Sequence, residues 1–199
     1  MQDPGQHAGH ERALPPRTFK PSGLATPALL SYRVSVGTSF TEYRGSGFWT
    51  RDAALETVLA LLVVDLELTA REDEGLEPVL DAWTVQAVAG FIGCVSPALD
   101  EHLAARPGLA TAVTAALKRI RDRIPPGGGV EVQSAALARR ADRACEGIPW
   151  TAPGAAACWV GNVADAMHDL VAGRLPAVPG AFWFVDGDGR HARPQQRPS

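Results

Sequence analysis

The amino-acid sequence predicts a mainly α protein: one globular helical domain of five or six helices with a minor two- or three-stranded β element. Three observations carry that expectation. Apolar residues recur at three- and four-residue spacing through the middle of the chain. Only short stretches alternate with period two. Proline- and glycine-rich breaks such as "IPPGGG" at 124–129 part the helical segments.

Residues 1–27 are rich in proline and poor in large apolar groups, so they read as a disordered tail with too little apolar surface to offset ordering entropy. The domain is expected over 28–187. "DGRHARPQQRPS" makes 188–199 a second disordered tail.

The first strand is expected in "LLSYRVSV" (29–36), where Tyr32, Val34 and Val36 share one face and Ser31, Arg33 and Ser35 the other. "AFWFV" (181–185) is the second, set between Pro179-Gly180 and the turn-rich "DGDG". Isolated strands must pair, so these two are expected to join each other or a short piece near 38–43.

The first helix is expected over 50–70, capped by Thr50 or Asp52. Leu55, Val58, Leu59, Leu62 and Leu66 form one stripe, and Leu61, Val63 and Val64 make the other side apolar too, which marks a central helix. The second, over 76–95, carries Leu80, Trp83, Ala87, Phe91 and Val95. Its Ala82, Ala89, Gly90 and Gly93 admit a neighbouring backbone. These two should form a core hairpin. Ser96 and Pro97 predict the cap and first position of a third helix, broken at Arg106-Pro107-Gly108. A further helix follows over 108–123 on Leu109, Val113, Leu117 and Ile120. The arginine-rich 133–146, with Leu137 its one large apolar residue, reads as a surface helix. The last, over 155–173, turns Trp159, Val160, Val163, Met167 and Leu170 inward.

Charge and composition narrow the function classes. Of the 199 residues 46% are hydrophobic, enough for a sizeable core, and the formal net charge is −3. A mildly acidic chain is not expected to bind nucleic acid, which needs a basic surface. The apolar run within 58–64 is far short of the ~20 residues of a spanning helix, and no leader is evident, so no membrane is expected and the location is read as cytoplasmic. Residue usage, with Lys20 and Lys118 the only lysines, fits a GC-rich bacterial genome. The cysteines Cys94, Cys145 and Cys158 form no CxxC pair and read as free, mostly buried thiols.

One stretch holds the candidate site. In "YRGSGFWTRDAALETVLALLVVDLE" (43–67), Arg44, Trp49, Arg51, Asp52 and Glu56 stand at the mouth of the first helix. Backbone N–H groups there favour anions, and Asp52 and Glu56 share a helical face. The group can be an anion or acid–base site, with Trp49 or Phe48 as an apolar wall. As a structural cluster, Arg44-Gly45-Ser46-Gly47 is a flexible connection, Asp52 charges the helix start, and Arg44 or Arg51 holds Glu56. No Walker loop, dinucleotide fingerprint or GxSxG elbow is present. The histidines, including His102 and His168, lack metal-ligand spacing, and "DGDGRH" (186–191) lacks the closing glutamate of a calcium loop. Neither metal nor cofactor is expected, nor cysteine catalysis. Core packing is the expected role of most of the five tryptophans.

The expected function is non-catalytic binding of a protein partner, as an accessory, inhibitor or immunity-type protein. The alternative is a small-molecule-binding or hydrolytic enzyme that uses the Arg44–Glu56 cluster.

Overall fold

The computed structural model describes residues 37–70, 75–104 and 106–194. The predicted strand at 29–36 and the predicted tail at 1–27 lie outside these residues. The mainly α expectation is corrected: the architecture is mixed α/β, 50% helix and 20% strand, with a four-stranded sheet and a separate two-stranded sheet.

The elements run β1 (Thr38–Tyr43), β2 (Ser46–Arg51), α1 (Asp52–Thr69), α2 (Glu77–Val88), α3 (Leu99–Leu103), α4 (Pro107–Arg123), β3 (Gly129–Glu131), α5 (Ala135–Ala144), β4 (Gly154–Ala156), α6 (Ala157–Val171), β5 (Ala181–Asp186) and β6 (Gly189–Pro194). The large sheet has the order β1-β2-β5-β6. Strand β2 lies parallel to β5 and all six helices fall between them in sequence, while β1–β2 and β5–β6 are antiparallel hairpins.

Two features hid this sheet from the sequence. The stretch 44–47 is no flexible connection: Arg44 (φ 52°) and Gly45 (φ 74°) form a two-residue hairpin turn. Positive φ at both central positions matches the right-handed twist of the flanking strands. An arginine pays a steric cost there that glycine or asparagine avoids, so the usual turn signature is missing. The stretch 189–194 is no tail either. It pairs along β5, and Arg190 reaches the Asp169 carboxylate of α6 at 2.8 Å. Asp169 is held below the usual carboxylate range. Its partial burial opposes that shift, but hydrogen bonds from Arg190 and Arg174 outweigh it.

Helix α1 is central, as its all-round apolar pattern predicts. Leu55, Val58, Leu59, Leu62, Val63 and Leu66 are fully buried, with α2, α4, α5 and α6 packed around them. Its N-cap is Arg51, with no side-chain cap, whereas Thr50 donates its hydroxyl to Val185 O. Asp65 is buried and pairs with Arg119 and Arg123 of α4. Helix α2 ends at Val88, seven residues before the predicted end at 95, and positive φ at Gly90 and Gly93 bends the chain away. The predicted Ser96-Pro97 helix start does not form. Ser96 N–H goes to Gln86 Oε1, Pro97 O accepts from Trp83 Nε1, and α3 begins at Leu99 after a left-handed Ala98. Helix α5 is not merely a surface helix. Its Arg140 is buried and reaches Glu77 and Asp81 of α2 at 2.8 and 2.6 Å. Burial works against that charge, yet these carboxylates raise its pKa above the ordinary arginine value.

Two stability tests follow from this packing. Leu62→Ala should cost about 2–5 kcal/mol in denaturant melts, since it empties a fully buried site. His102, edge-on to the Trp83 ring, has a pKa below its ordinary 6.5, chiefly through burial, with Glu101 opposing and Arg106 adding to the shift. The folded state therefore binds fewer protons than the unfolded one near that pH. The stabilisation is present above about pH 6.5 and is lost as pH falls through the folded value. Wild type should lose more unfolding free energy between about pH 7.5 and 5.5 than His102→Gln. Equal losses would count against this.

Candidate functional site

The five sequence-predicted residues do not converge. Strand β2 is six residues long, about 20 Å at ~3.3 Å per residue, and it separates Arg44 from Arg51. Arg44 sits in the hairpin turn, its guanidinium 5.0 Å over the Tyr43 ring and its N–H 2.9 Å from the Asp100 carboxylate. A cavity of about 280 Å³ opens beside it, bounded by Tyr43, Ser46 and the end of α6. Arg51 lies at the opposite end, exposed, 4.9 Å over the Trp159 ring. Neither arginine is the partner of Glu56, which is buried one turn into α1.

Asp52 is a structural joint. It is fully buried; Oδ1 accepts from the Ser39 hydroxyl at 2.7 Å and Oδ2 from Gly93 N–H at 2.6 Å. Its own N–H donates to Gly37 O at 3.1 Å, and a side chain at Gly37 would collide with the Asp52 carboxylate.

Trp49 belongs to a different surface. Side chains alternate across a strand. One face of the sheet carries Tyr43, Phe48, Thr50 and Val185 inward against α1 and α6. The other carries Phe40 of β1, Trp49 of β2, and Phe182 and Phe184 of β5. Phe40 and Trp49 have ring centroids 5.3 Å apart, and Trp49 and Phe182 are 6.2 Å apart near edge-on. Arg193 of β6 lies over Phe184 at 3.8 Å. The rings thus form a row across three strands, with an arginine beyond.

At the Arg51 end the row opens into a cavity of about 660 Å³. Phe184 and Trp159 wall it, with Arg51, Arg193, Cys158, Asp186 and Asp188 around them. Asp186 is engaged from three sides: Asp188 N–H at 2.9 Å, His191 Nε2 at 3.1 Å and Arg193 at 4.0 Å. Asn162 of α6 donates to the carbonyls of Asp186 and Gly187 at 2.7 and 3.1 Å, which pins the β5–β6 turn.

The sequence did not single out Phe40, Phe182, Phe184 or Arg193 as site residues. The available signal was aromatics at i and i+2 in "AFWFV", read only as a strand. One further expectation is corrected: Cys94 and Cys158 are exposed, and Cys145 alone is buried, where burial raises its thiol pKa. Of the tryptophans, Trp83 is fully buried in the core and Trp150, Trp159 and Trp183 are part-buried and packed against it, as expected of most of them.

Among the described residues, no group of three His, Cys, Asp or Glu side chains is placed to hold a metal, and no helix is long and apolar enough to cross a membrane. The class defined by fold and site is a mixed α/β protein whose sheet carries a row of part-exposed aromatic rings and arginines on its outer face. Comparison with protein-family models, curated proteins and solved structures finds no match to the chain.

Asp52→Ala should cost about 2–5 kcal/mol, because it strands the Ser39 hydroxyl and the Gly93 amide. Asp52→Asn should cost less, since its amide oxygen can accept from Gly93 while the nitrogen donates to a rotated Ser39 hydroxyl. Denaturant melts of both variants check this, and a loss below ~1 kcal/mol for the alanine variant would remove Asp52 from its role as the joint.

Proposed function

We propose that the chain is a non-catalytic binding protein that docks a protein partner on the outer face of its four-stranded sheet. One observation carries the reading: beyond the buried inner face with Tyr43, Phe48 and Val185, the sheet sets Phe40, Trp49, Phe182 and Phe184 on its outer face, exposed or part-exposed. A one-sided sheet ordinarily turns its apolar residues to the core. Exposed aromatic rows with arginine are the composition of interface hot spots.

Charge supports a partner that carries carboxylates. Arg51 has no carboxylate within ion-pair distance among the described residues, and Arg193 reaches only Asp186, at 4.0 Å. A protein presenting carboxylates beside apolar side chains would satisfy both the guanidinium donors and the rings. An accessory, inhibitor or immunity-type role agrees with such docking.

The test is capture from the native host with wild-type chain, the Trp49→Ala/Phe182→Ala double variant and Lys118→Ala as a distant control, followed by affinity measurement on the purified partner. The ring variant should weaken binding at least about tenfold while the control leaves it unchanged. Retention of the partner by the ring variant would overturn the reading. So would sedimentation showing that wild type self-associates through these rings.

A further inference from the structure

The cavity at the end of the aromatic row carries a second inference, which shares Phe184, Arg51 and Arg193 with the docking face. Its walls are two rings, Trp159 at the start of α6 and Phe184 of β5, each with an arginine on its face, Arg51 at 4.9 Å and Arg193 at 3.8 Å. A guanidinium stacked on a ring keeps its in-plane N–H donors free for a planar acceptor such as a carboxylate.

The charges around the cavity are not all matched. The Asp186 carboxylate is taken by the Asp188 amide, His191 and Arg193. Arg51 has no carboxylate partner, and the Asp188 carboxylate has no cationic partner, among the described residues. A purely anionic ligand would meet repulsion from Asp188, and a purely cationic one would meet Arg51. A ligand with one charge of each sign beside a ring matches every uncommitted group.

The turn that bears Asp188 is also held in place. Asn162 fastens its carbonyls, and a Cβ at Gly187 would come within 2.7 Å of the Trp159 indole nitrogen. A fixed turn reduces the ordering cost of binding. The volume, about 660 Å³, lies within the range of small-molecule sites.

We propose that this cavity binds a free aromatic amino acid: the carboxylate on Arg51, the ammonium on Asp188 and the ring between Trp159 and Phe184. The exposed thiol of Cys158 at its rim supplies a local reporter. The experiment uses full-length chain carrying Cys94→Ser, the other exposed cysteine, with L-phenylalanine and L-tryptophan as probes. N-acetyl-L-phenylalanine lacks the ammonium and L-phenylalaninamide lacks the carboxylate. Calorimetry reads affinity, and peptide mass spectrometry reads the rate of Cys158 alkylation.

At least one free amino acid should bind saturably and slow Cys158 alkylation, and each capped analogue should bind about two- to fivefold more weakly, the loss of one solvent-exposed charge contact. Arg51→Gln should erase the preference over the amide, and Asp188→Asn the preference over the acetylated form. Near-ultraviolet circular dichroism confirms that both variants are folded. Absence of saturation or of Cys158 protection with both amino acids would overturn the proposal. Binding indifferent to both substitutions would do the same. The two readings share Phe184, Arg51 and Arg193, and the failures are distinguishable because the docking test varies Trp49 and Phe182, which lie outside this cavity.

Discussion

Asp52 joins the start of α1 to two stretches of chain distant from it in sequence. Through Ser39 it holds β1, through Gly93 the loop after α2, and through its own amide the residue that enters the sheet. Ser39 in turn accepts from Val95 N–H at 2.8 Å, so the loop is fastened twice. A fully buried carboxylate is tolerable only when hydrogen bonds replace its water. This joint is the place where strand becomes helix, and it sets where its neighbour points: with Asp52 turned into the core, Arg51 turns outward over Trp159. The position of the cavity's free cation is thus a consequence of a buried hydrogen-bond network.

Two further buried charges fix the helices around α1. Asp65 takes two arginines from α4, and Arg140 takes Glu77 and Asp81 from α2. In each case the buried member is single and its partners reach it from the rim, with Glu77 64% and Arg123 63% exposed. Such pairs are weak evidence of net stability, because desolvation offsets much of their attraction. Helix α5 has few large apolar residues, and Arg140 ties it to Glu77 and Asp81 of α2 and to Glu67 of α1 at 3.6 Å.

The helical half was legible because helix periodicity and apolar density report burial directly. Leu55 to Leu66 could hardly lie elsewhere than in the centre. The β half was obscured by three local facts. The Arg44-Gly45 turn has a side chain where sequence rules look for asparagine or glycine. Strand β6, "GRHARP", has no apolar alternation, and its place comes from backbone pairing and the Arg190–Asp169 contact. Strand β2 is followed directly by α1, so its last residues read as a helix cap. The site was half legible for the same reason. Arg51 and Trp49 stood out by residue type, but what brings Phe182, Phe184 and Arg193 beside them is parallel pairing across 135 residues. No local pattern encodes that.

The inner face of the sheet buries three hydroxyl side chains beside Tyr43, Phe48 and Val185. Burying Ser39 and Thr50 is tolerable because their hydroxyls find Asp52 and Val185 O. The Thr41 hydroxyl finds no hydrogen-bond partner among the described residues, a cost with no return in packing. Phe40, Trp49, Phe182 and Phe184 on the outer face are exposed or only part-buried, so part of the roughly 1.5–3 kcal/mol of a fully buried phenylalanine is not realised there. On the docking we propose, a partner covering these rings supplies the burial that the fold leaves incomplete.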